Sequence, residues 1–330
     1  MELLCPAGNL QALKSAVDHG ADAVYIGFRD GTNAREFPGL NFTDARAREG
    51  IAYAHERGAK VLVALNTYVQ AGGWSRWQAA VDRSAEFGVD AIILGDPGLL
   101  EYAAERWPDL DRHLSVQASA TTPEALAFYQ KNFGIARAVL PRVLSIRQVE
   151  AIAAESVVDL EVFGFGSLCV MAEGRCMLSS YTTGQSPNTV GVCSPAWAVR
   201  WDEAPEGREA RLGGVLIDRF APDEFAGYPT LCKGRFDVEG QTEHAFENPT
   251  SLDTLELIPR LHAAGVKAIK IEGRQRSPAY IASVAAVWRR ALDAFERNGT
   301  FTPSAEDSAA LESVSEGART TLGAYERTWQ

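Results

Sequence analysis

Short apolar runs rich in β-branched residues alternate along the chain with longer amphipathic stretches. Eight runs have strand length, and we predict strands at 3–6, 23–27, 61–66, 91–96, 114–118, 138–142, 160–166 and 268–272. The amphipathic stretches predict helices at 10–19, 43–57, 74–87, 98–107, 123–131, 145–154, 251–264 and 277–298. Apolar strands that alternate with helices are typical of a parallel sheet covered on both faces. The pattern therefore predicts an α/β fold.

A short phrase recurs at the junction of a helix and the next strand. H-G-A-D-A-V-Y-I-G around Asp22 is echoed by F-G-V-D-A-I-I-L-G around Asp90, and more weakly by A-G-V-K-A-I-K-I-E-G around Lys267. In each, a glycine ends the helix and a strand follows directly. Eight strand–helix units predict a TIM-like (β/α)8 barrel, complete or degenerate. An open doubly wound sheet is the alternative, but no G-x-G-x-x-G follows the first strand to indicate a dinucleotide site.

The stretch 167–250 interrupts this rhythm. It contains polar segments with glycine and proline, and a possible strand pair around 199–201 and 215–219. We interpret it as an insertion after the seventh strand, on the carboxyl-terminal face of the barrel. The predicted organisation is barrel strands one to seven in 1–166, the insertion in 167–250, barrel closure by the eighth strand and last helix in 251–300, and a tail in 301–330.

Four of the five cysteines lie in this insertion, at Cys169, Cys176, Cys193 and Cys232. Thiolates are ligands of zinc and of iron-sulfur clusters, and four of them complete either kind of site. The spacing C-x6-C-x16-C-x38-C lacks the paired C-x2-4-C knuckles of structural zinc sites. It favours a 4Fe-4S cluster, with zinc and ordinary buried cysteines as the alternatives.

Polar residues at the carboxyl ends of the predicted strands are candidates for a binding site, because active sites of these barrels lie there. We predict a pocket for a small polar or anionic molecule, lined by Asn66, Gln117, Arg142, Glu272 and Arg274. Arg274 and Arg276 precede a helix start and could form an anion site. The alternative is that Glu272 and Arg274 pair with each other. The loop 32–43 adds Asn33, Arg35 and Asn41 as substrate-loop candidates.

Composition and motifs argue against several classes of protein. A formal net charge of −11 disfavours nucleic acid as a partner, and no apolar run reaches the length of a membrane span. The chain lacks the basic and apolar regions of a secretory signal, and its odd cysteine count argues for a reducing compartment, so we expect a cytoplasmic protein. The five histidines show no metal-site spacing, and we expect them on the surface. No motif of a serine hydrolase or zinc protease is present.

Several phrases together resemble the collagenase-like peptidase family. They are M-E-L-L-C-P-A-G-N-L, G-A-D-A-V-Y-I-G, L-N-F-T, S-V-Q-A-S-A, V-L-P-R-V-L-S, F-G-S-L-C-V-M-A-E-G-R-C, Y-P-T-L-C-K-G-R and I-K-I-E-G-R-Q-R-S-P-A-Y. The resemblance covers essentially the whole chain. It is strongest to the branch that acts in ubiquinone biosynthesis, and the cysteine motifs are its most specific part.

The resemblance implies an iron-sulfur protein of a hydroxylation pathway rather than a protease. It implies one 4Fe-4S cluster held by Cys169, Cys176, Cys193 and Cys232, all of which are present. It also implies a homologous partner subunit in a heterodimer, and oxygen-independent hydroxylation of the ubiquinone ring with prephenate as hydroxyl donor. A lipid-binding accessory protein is implied as carrier of the polyprenyl intermediate. RNA base hydroxylation and a non-catalytic electron-transfer role are the alternatives.

Overall fold

The computed structural model describes residues 1–36, 39–171, 176–187, 192–205 and 207–327. Its first half contains seven parallel strands, each built from one of the apolar runs. They are β1 (Glu2–Pro6), β2 (Ala23–Ile26), β3 (Lys60–Leu65), β4 (Ala91–Leu94), β5 (Asp111–Leu114), β6 (Arg137–Val139) and β7 (Asp159–Ser167). Each strand pairs with the next in register, for example Leu4 with Ala23 and Val24 with Val61.

Six helices connect these strands and cover the outside of the sheet. They are α1 (Leu10–Asp18), α2 (Asp44–His55), α3 (Trp74–Glu86), α4 (Pro97–Arg106), α5 (Pro123–Phe133) and α6 (Ile146–Glu155). Most begin at a polar residue whose side chain accepts a hydrogen bond from the first turn, such as Asn9 for α1 and Asp96 for α4. Ser145 and Gln148 form a reciprocal capping box at α6. These caps explain why the helices begin close to their predicted positions.

Residues 168–250 lie between β7 and the rest of the barrel. Their elements are α7 (Met177–Thr183), β8 (Val199–Ala204), β9 (Gly207–Leu212), β10 (Val215–Phe220), β11 (Phe236–Val238) and β12 (Gln241–Glu243). The antiparallel sheet has the order β10-β9-β8, so the strands around 199–201 and 215–219 are present but are not paired with each other. A third strand, β9, lies between them and pairs with both.

The chain then returns to the barrel and closes it. The remaining elements are β13 (Ser251–Asp253), α8 (Ile258–Ala263), β14 (Ala268–Ile271), α9 (Pro278–Asn298), α10 (Ala305–Val314) and β15 (Thr320–Thr321). β14 pairs in parallel with both β1 and β7, which joins the two edges of the sheet. The predicted TIM-like (β/α)8 barrel is thereby confirmed. None of the helices in the described ranges is long and apolar enough to cross a membrane.

Two segments differ from their predicted structure. The helix predicted at 251–264 begins later, because its first residues form β13, which pairs antiparallel with β7. The strand predicted at 114–118 lies earlier, at Asp111–Leu114, and Val116–Ala118 form a 3-10 helix capped by Ser115. Both apolar runs were assigned the wrong element because a short apolar run does not distinguish strand from helix.

The inside of the barrel combines an apolar cluster with buried charges. Leu4, Leu62 and Ile93 belong to the apolar cluster, which is separate from the larger core between the sheet and the helices. Glu161 is completely buried beside Lys270, with 2.7 Å between its Oε1 and the lysine Nζ. His113 on β5 is also buried, so its expected surface position was wrong.

Candidate functional site

A cavity of about 590 Å³ opens at the carboxyl ends of the barrel strands, a volume that includes the part open to solvent. Parallel strands bring their carboxyl ends to one edge, which is why residues far apart in sequence meet here. All five residues predicted to bind substrate line the cavity: Asn66, Gln117, Arg142, Glu272 and Arg274. The structure therefore brings the predicted set together at one place.

Arg274 is the most distinctive cation of this cavity. Its side chain is almost completely buried, and its Nη1 atom has no hydrogen-bond acceptor among the described residues. The pKa of its guanidinium is lowered to about 10, mainly by burial and also by Arg35, while Tyr25 and Glu272 oppose that change. A Cβ atom at Gly27 would lie 2.5 Å from Nη1, so the glycine at the end of β2 makes room for the guanidinium. A buried, unsatisfied donor is well suited to bind an anion.

The amide side chains of Asn66 and Gln117 also line the cavity. Asn66 is fixed on both sides, since its Oδ1 accepts from the Ala34 amide at 3.0 Å and its Nδ2 donates to Ser115 Oγ at 3.4 Å. Gln117 is buried, and its Oε1 has no donor within the described part of the chain. Asn66 therefore holds the loop after β2 in place, while Gln117 retains an acceptor for a ligand.

The other charged residues of the wall have partners within the protein. Arg142 donates from Nη1 to the Ser167 carbonyl, and its guanidinium lies 4.4 Å from the Phe163 ring centroid. Glu272 Oε2 accepts from the Ser167 amide at 3.4 Å, and its Oε1 is 4.0 Å from Arg35. In the described structure Glu272 is thus paired with Arg35 rather than with Arg274.

The loop after β2 and the helix start after β14 each contain residues with roles other than those expected. Arg35 lines the cavity, but Asn33 and Asn41 stabilise the loop by donating to the carbonyls of Phe28 and Arg35, at 2.8 and 2.7 Å. Arg276 lies outside the cavity lining and donates to the Val314 carbonyl at 3.3 Å. A paired arginine anion site at this helix start is therefore not formed.

Sequence reasoning missed two residues inside the barrel that line the cavity. Lys270 and Tyr25 lie on strands that were treated as apolar, and the lysine Nζ is 4.1 Å from the tyrosine ring centroid. The Tyr25 hydroxyl donates to the Ile271 carbonyl at 2.9 Å. The signal was a charged residue in the middle of the apolar strand A-I-K-I, at an inward position two residues before Glu272.

The four insertion cysteines lie near one another beside the end of β7. Cys232 interacts electrostatically with Cys193, Cys169 and Cys176. Cys176 caps the amino terminus of α7, where its Sγ accepts from the Ser179 amide at 3.4 Å, and the Ser179 hydroxyl donates to the Cys193 carbonyl. Cys5, by contrast, is buried in the core behind β1. Residues 172–175 and 188–191, between these cysteines, lie outside the described ranges.

The four thiols supply the donor set of a 4Fe-4S cluster, in which each iron takes one cysteine thiolate. Four thiolates also suffice for a zinc ion. Among the described residues, no three His, Cys, Asp or Glu side chains lie close enough together to hold a single metal ion.

The surroundings of Cys232 affect its ionisation. The pKa of its thiol is raised to about 12, mainly by burial and also by the three other cysteines, while Lys233 opposes the rise. Lys233 is itself bound to Glu316, whose other carboxylate oxygen accepts from the Ser167 hydroxyl at 2.6 Å. This link ties the cysteine segment to the end of β7 and to the chain after α10.

Comparisons with known proteins identify one family. A family model described as Peptidase family U32 matches residues 8–326. The tRNA hydroxylation protein P of Escherichia coli is 33% identical over 313 residues, covering 88% of this chain and 68% of that protein. The 23S rRNA 5-hydroxycytidine C2501 synthase of the same organism is 33% identical over 294 residues, covering 89% of this chain and 39% of that protein. The chain thus spans about two thirds of the first relative.

The fold is also found in a solved structure. The U32 peptidase Mk0906 matches with a TM-score of 0.51 and 13% identity, covering 84% of this chain and 94% of that one. At this identity the likeness concerns the fold alone.

Proposed function

The chain belongs to peptidase family U32, and from this membership we propose that it is the iron-sulfur subunit of an oxygen-independent hydroxylase acting on the ubiquinone ring. The observation that carries the proposal is the approach of four cysteine thiols beside the mouth of a cationic cavity. Relatives named for hydroxylation of tRNA and rRNA support the reaction class. Within the family, we propose that the chain belongs to the UbiU branch, because its cysteine motifs resemble those of that branch.

Cys169, Cys176, Cys193 and Cys232 would hold one 4Fe-4S cluster. When bound, such a cluster supplies one-electron transfer at a potential that nearby charges and hydrogen bonds adjust. In this chain the Ser179 amide and Lys233 lie next to thiols of the set and favour the thiolate form. The role of the protein is therefore to hold these ligands together beside the cavity.

The cavity would bind a dicarboxylate, with prephenate as the proposed hydroxyl donor. Arg274 offers a buried donor without a partner in the described structure, and an arginine fork matches a carboxylate in shape and charge. Asn66 and Glu272 position the surrounding loops, and Gln117 supplies an acceptor for a hydroxyl group. Counted together with its part open to solvent, the cavity has a volume in the range of small-molecule sites.

The proposed assembly contains further components. A homologous UbiV-like subunit would form a heterodimer with this chain, and a lipid-binding accessory protein would present the polyprenyl intermediate. The ring to be hydroxylated would then be delivered by a carrier.

RNA base hydroxylation is the second candidate, because the relatives are named for it. The formal net charge of −11 opposes it, since binding to RNA depends on neutralising phosphates. The chain also spans only 68% and 39% of those two relatives.

Metal analysis of the chain, purified without oxygen together with its partner, tests the proposal. We expect about four irons and four sulfides per chain, as a 4Fe-4S cluster requires. Cys176→Ala should lose the four irons of this chain while the partner keeps any iron of its own, whereas Cys5→Ala should keep them because Cys5 is a core residue. Zinc without sulfide, or full iron content in Cys176→Ala, would refute the cluster assignment.

Prephenate-dependent hydroxylation in extracts that contain both subunits tests the reaction itself. Pairing this chain with a partner variant that lacks its own cluster, and the reverse pairing, separates a catalytic role from electron transfer alone. Hydroxylation that proceeds with this chain's cysteine set removed would contradict the proposal.

A further inference from the structure

The floor of the cavity contains one primary amine. Lys270 is the only lysine among the described residues that line the cavity, and it lies there with Arg274 and Arg142. Its position on β14 directs it inward, on the same side of the strand as Glu272. Its side chain is only 8% exposed, so the amine is accessible from the cavity rather than from bulk solvent.

The amine is paired with a carboxylate that can act as its proton acceptor. Lys270 Nζ lies 2.7 Å from Glu161 Oε1, within hydrogen-bond reach. Glu161 is completely buried, and its Oε2 has no hydrogen-bond donor in the described structure, with Arg137 Nη1 at 3.7 Å. Burying a charged pair is costly, and aliphatic residues such as Leu4 and Leu62 fill comparable positions inside this barrel. The pair therefore calls for a functional explanation.

The electrostatic surroundings reduce the cost of neutralising the amine. Burial lowers the pKa of Lys270, Glu161 raises it, and Arg274 and Arg137 lower it further. Lysines made nucleophilic by desolvation and neighbouring cations are the ones that form imines with carbonyl compounds.

The same cavity contains a carboxylate site within reach of this amine. Lys270 Nζ and the Arg274 guanidinium lie 4.1 and 5.9 Å from the centroid of one ring, that of Tyr25. Arg274 Nη1 is free to bind a carboxylate, as far as the described residues show. The guanidinium is also close enough to lower the pKa of Lys270. A ligand with a carbonyl next to its carboxylate would present the carbonyl to the amine and the carboxylate to the guanidinium. That chemistry defines a 2-oxo acid.

We propose that Lys270 binds 2-oxo acids covalently as an imine, with Arg274 holding the neighbouring carboxylate and Glu161 transferring protons. This inference rests on the proposed function, because prephenate is itself a 2-oxo acid. It adds a covalent attachment point for the donor that the proposed function does not require.

The step balances without a redox partner. The Nζ atom forms a bond to the carbonyl carbon, and the carbon–oxygen bond breaks to release water. Two protons of the ammonium group leave with that water, carried by Glu161, and the third remains on the iminium nitrogen. The positive charge stays on the nitrogen, so the Lys270 side chain has the same charge before and after the step.

Borohydride trapping of the full chain with its partner tests this. Pyruvate and 2-oxoglutarate, followed by borohydride, should add one ligand-sized mass that peptide mapping places on Lys270. Lactate, which has no carbonyl group, should add nothing. Lys270→Arg keeps the charge and should abolish the adduct. Lys267→Arg is the matched control, since Lys267 is exposed three residues earlier and its loss should leave the yield unchanged.

The remaining variants test the assigned roles. Arg274→Gln should raise the 2-oxo acid concentration needed for half-maximal trapping by about tenfold, as expected for one lost charged hydrogen bond. Glu161→Gln should slow trapping at saturating 2-oxo acid. Peptide mapping of the unmodified chain locates the adduct by itself, so this part of the test does not depend on any variant.

Calorimetry without borohydride separates this inference from the proposed function. Binding of a dicarboxylate without any adduct at Lys270 would overturn the imine and leave the proposed anion site standing. Adducts spread over exposed lysines at equal yield would overturn it as well. If neither binding nor trapping occurs, both proposals fail.

Discussion

At the scale of the residue, Arg274 is a buried cation whose hydrogen bonds are incomplete within the described structure. Its guanidinium is buried where Gly27 leaves space, and one of its donors has no acceptor in the described structure. Leaving a donor unsatisfied costs free energy that a bound carboxylate would recover. The fold therefore leaves one donor of Arg274 open, and a carboxylate of the proposed ligand would complete its hydrogen bonds.

The first residue-scale prediction concerns Arg274. Arg274→Gln should weaken dicarboxylate binding by roughly 10- to 100-fold, because a charge-assisted hydrogen bond contributes about 1.5–3 kcal/mol. Isothermal titration calorimetry measures this directly. Arg276→Gln is the matched control, since that side chain lies outside the cavity lining and donates to Val314. Equal losses in both variants would argue against a specific anion site.

The second residue-scale prediction concerns His113. The pKa of its imidazole is lowered from 6.5 to about 3, mainly by burial and also by Arg137, Lys270 and Lys60, while Glu2 opposes the change. The unfolded chain thus binds a proton at this residue below about pH 6.5 while the folded chain does not, so acid favours unfolding. From pH 7.5 to 5.5 this should remove about 1.4 kcal/mol of the free energy of unfolding.

His113→Gln removes that contribution. Urea denaturation across this pH range should show a flatter pH dependence for His113→Gln than for the unmodified chain. His262→Gln, at an exposed histidine, should keep the original dependence. Parallel curves for His113→Gln and the unmodified chain would show that His113 has the same pKa in the folded and the unfolded chain.

At the scale of the element, β7 joins the barrel, the last long helix and the cysteine insertion. It pairs with β6 and β14 in parallel and with β13 antiparallel. Its glycines make this possible. A Cβ at Gly164 would lie 2.4 Å from Ile269 Cγ2 and 2.8 Å from Trp288, so α9 packs directly against the backbone of the strand.

The element-scale prediction follows from this contact. Gly164→Ala should lower the free energy of unfolding by about 1–3 kcal/mol, because the added methyl group overpacks a buried interface. Gly227→Ala is the control, since a Cβ there meets no atom within 4 Å and should change stability by less than about 0.5 kcal/mol. Chemical denaturation of both variants distinguishes them, and equal stability would show that α9 moves at little cost.

At the scale of the whole molecule, the charge of the protein distinguishes between the two candidate substrates, the ubiquinone ring and RNA. The insertion contains 7 basic and 12 acidic residues between 167 and 250, so it shares the acidic balance of the chain. The arginines in its described ranges are paired with carboxylates, for example Arg208 with Glu203 and Arg235 with Asp218. Among these described residues, few cations therefore remain on this face for phosphates.

The molecule-scale prediction is weak binding to RNA. Fluorescence anisotropy with a labelled tRNA at about 150 mM salt should give a dissociation constant no tighter than about 10⁻⁵ M, as for non-specific contacts. A repeat at lower salt shows how much of the binding is electrostatic. Sub-micromolar binding at moderate salt would instead favour the RNA hydroxylation candidate over the ubiquinone ring.

The sequence by itself determined the barrel and the residues at its mouth. The alternation of apolar runs with amphipathic stretches follows from burying both faces of a parallel sheet, and it specifies which strand ends meet. Asn66, Gln117, Arg142, Glu272 and Arg274 could be named for that reason. Periodicity assigned β5 and the start of the 251–264 segment wrongly, because short apolar runs are compatible with either element.

Only the tertiary structure decided how these residues are used. Glu272 is bound by Arg35 and Ser167, and Arg276 lies outside the cavity, which depends on packing that no local pattern reports. The Lys270–Glu161 pair joins strands 109 residues apart, and its burial follows from closing the barrel. Burial and long-range pairing arise when distant segments meet, so the chemistry inside the barrel becomes visible only once the fold is complete.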